Sequence, residues 1–490
     1  MNRILVLSLC VLVQGLTVEP PVSAPAPAPA PIVKDHNDWM LPLLLAGKTV
    51  ISAKPEIATV AIGQQSARLS TRVAESSWNP RISISPSFGE TRSESNSVVD
   101  GPGIIKTQSG SSSVNITKPF ATGTSVSLGG SSSASRSNGA GVISDEFYSS
   151  SINLAISQSL LRGGSRTVNM NGILDAQDAE ANSRDQYANA LESQYNDLIS
   201  RWMDLALSQA SIEQLNRDVS VARDNLRQYE ERLKIGLSRE LDVQSLRRGV
   251  ADQEVQLAKA ERAYAADQRQ MQLYWPDLQL PDRKEVLKDV QPTIPDEVSF
   301  ANTRLGQSTL RDLATSARRV AVSRDGSFDD LSAQGSVGKY GTDGDLGGSW
   351  QQLENRDAFD WRFGLSYSHV FGTEANRVNY QQSLLALDQA QLQARISQRD
   401  WHARSLLLRD AFADALARVL EQERLVTVER NELILATAQV EAGRTTTRDL
   451  VDAQQRVSNA VLALYRANLD VLRSDLQLRL HENRLLSLLP

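Results

Sequence analysis

Lys234-Ile235-Gly236-Leu237-Ser238-Arg239-Glu240-Leu241-Asp242-Val243 and Glu441-Ala442-Gly443-Arg444-Thr445-Thr446-Thr447-Arg448-Asp449-Leu450 are two copies of one local pattern. The step from Gly236 to Asp242 equals the step from Gly443 to Asp449. Each copy is flanked on both sides by long helical sequence, and each half carries alternating, strand-like segments upstream of its Gly turn. The chain therefore reads as one unit written twice: helix, strand pair, long helical hairpin. So long a period points to duplication of a whole unit rather than to a short solenoid repeat.

Working outward from the turns, the helical signal is narrow and long. Leu198, Trp202, Leu205, Ile212, Leu215, Val219, Ala222, Leu226, Tyr229 and Leu233 recur mostly at spacings of three and four. Past Gly236 the rhythm continues through Val243, Leu246, Val250, Leu257, Ala260 and Tyr264; past Gly443 it runs through Leu450, Ala453, Val457, Ala460, Leu464, Ala467 and Val471. A near-3.5 period means coiled-coil packing, and the segment before Gly236 would span roughly 100 Å at about 1.5 Å per residue. Helices of this kind cannot fold alone and must line up side by side. Pro276, Pro281, Pro292 and Pro295 break them between the halves.

Elsewhere the period is two. Ile82, Ile84, Pro86 and Phe88 alternate with Ser83, Ser85 and Ser87, and Ile152, Leu154 and Ile156 alternate with Asn153, Ala155 and Ser157. The clearest strand is Phe359, Trp361, Phe363, Leu365 and Tyr367, against Asp360, Arg362, Gly364 and Ser366, with a weaker one at 331–340. One greasy face and one polar face fit either a sheet with one buried side or a barrel wall, apolar toward lipid and polar toward a lumen. Two strands per half are too few for an isolated sheet. With four strands per chain, three copies would supply twelve.

Composition narrows the class. The chain has 490 residues, 5% aromatic, with a net charge of −6 and no basic stripe, which removes nucleic acid as a partner. Residues 1–24 read as a secretory signal, with Arg3 ahead of the apolar Ile4 to Val13 and a small-residue site at Val22-Ser23-Ala24. The only cysteine, Cys10, lies in that leader, so neither disulfides nor thiolate metal sites are expected beyond it. Past the leader there is no run of about 18 apolar residues, and a β-barrel remains the open route across a membrane.

The resulting division is a Pro/Ala-rich tether at 25–39, a first helix at 40–77, strands with a long Ser/Gly-rich insertion at 78–162, which the resemblance given below would make extracellular, and a helical hairpin at 163–275 turning at 234–242. A connecting segment at 276–298 leads to a second helix at 299–327, strands at 328–372, and a hairpin at 373–490 turning at 441–449. The stretch at 91–146 is long for a simple loop, and its short alternating pieces at 114–117 and 124–128 suit an extra hairpin.

No catalytic constellation is present. His36, His369, His402 and His481 are isolated from one another, without ligand spacing. Leu161-Arg162-Gly163-Gly164 lacks the Lys-Ser/Thr of a phosphate loop and reads as a strand-to-helix turn. No catalytic residue, metal or cofactor is expected. Asp449 and Asp452 fall on one helix face. They suit a solvated helix start capped by Thr445–Thr447, or a ring of carboxylates if the turn lies at a threefold axis.

Taken in order, these features resemble the TolC-like outer-membrane efflux and secretion channels. The resemblance covers nearly the whole chain beyond the leader. It rests on the repeated plan, on Asn79-Pro80 before the first strand, on Ser159-Leu160-Leu161-Arg162-Gly163-Gly164 after the last strand of the first half, and on both Gly turns. It implies a homotrimer with a twelve-stranded outer-membrane barrel, four strands per chain, continued by a periplasmic α-helical tunnel. It implies conduction rather than catalysis, with a periplasmic adaptor and an inner-membrane transporter as partners in an efflux or type I secretion system. Ile235, Gly236, Leu237 and Ser238, with Ala442, Gly443, Arg444 and Thr445, would contact the adaptor. Asp449 and Asp452, with Asp242 of the first copy and the neighbouring Arg444 and Arg448, would form the periplasmic aperture. Phe359, Trp361, Phe363, Leu365 and Tyr367 would face lipid. The competing reading is a non-conducting coiled-coil scaffold of the envelope, which has no use for that aromatic stripe.

Overall fold

The computed structural model describes residues 39–94, 103–137, 146–276, 278–279, 296–355, 359–372, 374–442, 444 and 446–489. The expected leader, most of the tether and of the connecting segment, Gly443 and Thr445 lie outside the described residues. The first helical piece is α1 (Leu41–Ser52) and α2 (Pro55–Glu75), divided where Pro55 opens the second helix. Strands β1 (Arg81–Glu94), β2 (Ile104–Pro119), β3 (Thr124–Ser137) and β4 (Glu146–Ser159) follow. Then come the long helix α3 (Arg166–Lys234) and its return α4 (Glu240–Tyr274). The second half runs α5 (Arg304–Asp325), β5 (Asp330–Asp343), a short helix α6 (Leu346–Asn355), β6 (Phe359–Ser368), α7 (Glu374–Glu441) and α8 (Thr447–His481). The hairpins match closely: α3 and α4 have 69 and 35 residues, α7 and α8 have 68 and 35. At about 1.5 Å per residue the longer arms reach roughly 100 Å.

Among the described residues six strands form one antiparallel meander in the order β1 to β6. This corrects the expected four per chain. The two extra strands are β2 and β3, inside the stretch that read as an insertion. Their pairing puts Ser against Ser at Ser111↔Ser133, Ser112↔Ser132 and Ser113↔Ser131, and Val against Gly at Val114↔Gly130. Strands made of Ser and Gly carry little hydrophobic alternation, so their period-two signal surfaces only where Val114, Ile116, Val126 and Leu128 interrupt it. The hairpin is anchored at its turn. Ser159 N donates to Gly123 O at 3.2 Å, and Asn169 Nδ2, in the first turn of α3, donates to Ala121 O at 3.1 Å and Gly163 O at 2.8 Å. The second departure is α6, which interrupts the expected pair of second-half strands.

The register puts most apolar residues of the six strands on one face; Ile105, Phe147 and Tyr340 lie on the other. Ile84 stands against Val114, Leu128 against Leu154, Leu154 against Val337, and Val337 against Trp361. This face is largely uncovered: Phe88 is 89% exposed, Trp361 and Phe363 70% each. A water-soluble sheet would bury such a band. At the outer end α6 lies on the same face. Its Ser349 Oγ is 2.8 Å from Ser150 Oγ, and Trp350 Nε1 donates to Ser132 Oγ at 3.0 Å. Gly341 is the floor beneath it, because a Cβ there would stand 2.1 Å from the Ser349 carbonyl oxygen.

The main apolar core lies far from the sheet, where α1 meets the middle of α3 and the ends of α4 and α8. Met40, Leu43, Leu44, Leu198, Ile199, Met203, Leu472 and Leu476 are buried there. Burial of Asp475 is balanced by two donors, Trp39 Nε1 and Arg479 Nε, both at 2.9 Å. Between core and sheet, α5 runs antiparallel to α3. Arg304, Arg311 and Arg318, a heptad apart, pair with Glu192, Asp185 and Asp178, the last arginine also reaching Asp175 at 3.0 Å. Burial holds the Glu192 carboxyl above its ordinary range despite the Arg304 charge.

Candidate aperture and hairpin turns

The first turn is a helix C-cap that its sequence dictates. Gly236 adopts φ +78°, in the left-handed region that a side chain makes costly. Its N–H donates to Leu233 O at 3.0 Å, and Leu237 N donates to Arg232 O at 2.8 Å, the paired bonds of a Schellman cap. In the second turn Arg444 N donates to Gln439 O at 2.8 Å, the counterpart of the Leu237 bond. At the first tip Ile235, Leu237 and Leu241 are exposed to 70%, 75% and 74%. Three apolar side chains thus stand exposed together at the tip in the monomer.

The acidic residues are placed unequally. Asp449 is engaged in capping α8: Thr446 N and Oγ1 donate to its Oδ2 at 3.0 and 2.7 Å, and its own N–H donates back to Thr446 Oγ1 at 3.4 Å. This is a capping box with Asp at the third helical position. Asp452, one turn further, lines a groove of about 310 Å³ with Glu432, Leu435, Gln439, Asp449 and Arg456. Arg456 is shared between Glu429 at 3.1 Å and Glu432 at 3.4 Å. In the first turn Asp242 is held by Arg239, whose Nε and Nη2 donate to it at 3.0 and 3.2 Å. The partner of Asp242 is thus local. Arg444 and Arg448 are exposed.

The hairpins touch just above the turns: a Cβ on Gly249 of α4 would lie 3.6 Å from Val451 of α8. Higher up, the seam contains a half-buried carboxylate outside the apolar series. Asp218 of α3 accepts from Gln214 Nε2 at 2.9 Å and from Ser458 Oγ of α8. Its burial raises its carboxyl above the ordinary range, against those hydrogen bonds and the Arg217 charge. Asp218 stands one residue before Val219 of the apolar series, so its seam position was readable from the spacing.

Among the described residues no group of three His, Cys, Asp or Glu could hold a metal, and no helix is long and apolar enough to cross a membrane.

No protein-family model and no curated protein sequence matches this chain. Solved structures are. The outer membrane protein VceC from Vibrio cholerae superposes with a TM-score of 0.59 at 14% identity, over 90% of this chain and 97% of that one. The open-state outer membrane channel MtrE of Neisseria gonorrhoeae gives 0.56 at 13%, over 90% and 88%. CusC, a protein that forms a transmembrane channel, gives 0.60 at 12%, over 90% and 91%. The fold of this chain is therefore that of the TolC-like channels.

Proposed function

We propose that this chain is an outer-membrane channel, the exit duct of a tripartite efflux or type I secretion system. The observation that carries it is the sheet. One face bears exposed Phe359, Trp361, Phe363, Leu365 and Tyr367, and the other is polar, rich in serine and glycine with a few charges. Among the described residues neither edge strand has an outer partner in the monomer. Lipid hydrocarbon accepts the first face but not unpaired strand edges, so the sheet must close with other copies into a barrel. Homotrimeric closure, with the helical hairpins extending about 100 Å into the periplasm, completes the duct.

Its tips offer Ile235, Leu237 and Leu241 to a periplasmic adaptor, beside Gly236 and Ser238 and the second turn Ala442–Thr445. An inner-membrane transporter supplies the driving force. Asp452 contributes the carboxylates that face the mouth, while Asp449 shapes the helix start beneath it. Asp242, Arg444 and Arg448 complete the charged rim. The chain conducts and carries no chemistry of its own. A coiled-coil scaffold would leave the aromatic face without a use.

Membrane fractionation tests this directly. The protein should sediment with outer membranes, extract only in detergent and run as a trimer. Recovery as a soluble periplasmic monomer would end the proposal.

A further inference from the structure

We infer that the exit barrel is wide, with eighteen strands, and that its bore is lined by neutral hydroxyl groups and does not sort cargo by charge. The inference rests on the proposed channel function and extends it to the class of cargo.

Each chain brings six strands. An even number of alternating strands leaves β1 and β6 running in opposite directions at the two edges. The β6 edge of one copy can then pair antiparallel with the β1 edge of the next. The faces also agree, because Ile82, Ile84 and Phe88 of β1 lie on the same side as Trp361, Phe363 and Leu365 of β6. Three copies of six strands close at eighteen. Barrel diameter grows roughly linearly with strand number, so eighteen strands give about one and a half times the bore of twelve, in the range of open aqueous porins.

The lining follows from the register. Ser85, Ser113, Ser131 and Ser151 form one row across four strands, and Ser87, Ser111, Ser133 and Ser149 form the next. Hydroxyls meet in these rows: Ser87 Oγ and Ser111 Oγ are 2.7 Å apart, and Ser131 Oγ and Ser151 Oγ 2.8 Å. On this polar face β2, β3 and β4 carry no charged residue, and β1, β5 and β6 carry Arg81, Arg362, Asp330 and Asp360, which balance. Small side chains do not fill the bore, and balanced charge builds no selective field. The extra hairpin is tied to the strand-to-helix junction through Gly123 and Ala121, so it belongs to the wall. Hydrophilic cargo of large cross-section can leave by this end, and selection falls to the narrow turn end.

Two experiments on the full chain, with Cys10 replaced by Ser, test this. The first pairs Ile84→Cys with Trp361→Cys, Phe363→Cys or Leu365→Cys and oxidises outer membranes. At the matching register a covalent ladder should end at three chains. A ladder ending at two chains, or none at any register in protein that does reach the outer membrane, would overturn the inference while leaving the channel proposal intact. The second places Ser151→Cys in the bore and labels intact cells with maleimide–polyethylene glycols of graded mass. Deleting residues 95–145 joins β1 directly to β4 and leaves four strands. The intact chain should admit larger reagents than the deletion, whereas equal size limits would overturn the inference. The ladder alone decides the strand count if the deletion fails to assemble.

Discussion

Arg318 on α5 donates to Asp175 of α3 at 3.0 Å. That contact is the sheet-proximal end of the ladder that continues through Arg311–Asp185 and Arg304–Glu192. Counted from Asp178, which Arg318 also reaches, successive rungs are a heptad apart on both helices and run in opposite directions. The ladder fixes the register of α5 against α3 just below the sheet, where small apolar residues alone would leave it loosely set.

Breaking the middle rung should therefore matter. Arg311 is 18% exposed and Asp185 22%, so Arg311→Ala leaves a mostly buried carboxylate without its cation. The expected loss is about 1–3 kcal/mol, read as a lower dissociation temperature of the oligomer in detergent. Arg311→Met with Asp185→Leu should recover most of it, because removing both charges removes the desolvation cost. An unchanged midpoint in the single variant would mean the pair is only a surface contact.

Gly236→Ala isolates backbone strain. A Cβ at this position meets open space, so the cost is conformational alone, about 1–2 kcal/mol. Hydrogen exchange at the Leu237 amide, bonded to Arg232 O at 2.8 Å, should speed up accordingly. Gly236→Asn should cost less. Equal protection in all three proteins would show that the cap does not depend on the glycine.

Asp218 should make the seam between α3 and α8 sensitive to pH. Burial raises its folded pKa, so protonation is favoured in the folded state. Its stabilising contribution is fully present below the unfolded carboxylate range and is lost as pH rises through the folded value. Asp218→Asn should therefore be more stable than the parent at pH 8, with the gap closing toward pH 4. A gap that widens on acidification would reverse the assignment. Thermal dissociation at a series of pH values reads it out.

Gly341→Ala should lift α6 from the sheet, because the added Cβ would stand 2.1 Å from backbone oxygen of Ser349. Faster proteolysis between β5 and β6 and altered Trp350 fluorescence are the expected signs. Proteolysis and fluorescence like those of the parent would mean that α6 does not rest on that floor.

These positions also show which features the chain advertises. The long helices were legible because a narrow apolar seam writes its period at Leu198, Trp202 and Leu205. The strand at Phe359–Ser368 was legible because alternation between aromatic and polar residues is unambiguous. The β2–β3 hairpin was half legible: Ser and Gly pair well in a ladder yet carry no hydrophobic code. The helix α6 was not legible, since Gly347, Gly348 and Ser349 oppose helix formation and it is held by contacts with Ser150 and Ser132 from distant strands. At the turns, the Gly spacing located the tips, but a carboxylate engaged in capping, Asp449, and one lining a groove, Asp452, read alike. Only the geometry around Thr446 separates them. The partner of Asp242 was equally hidden, since Arg239 and the second-turn arginines are alike in sequence.

Single-channel recording of the purified oligomer in planar bilayers, with Asp452→Asn beside the parent, separates a conducting duct from a silent scaffold. Asp452→Asn is the cleaner substitution because it leaves the Thr446–Asp449 cap intact. A conducting duct gives discrete conductance steps that favour cations, with that preference reduced in the variant while the oligomer stays assembled. Silent bilayers from assembled oligomer that has inserted would contradict it.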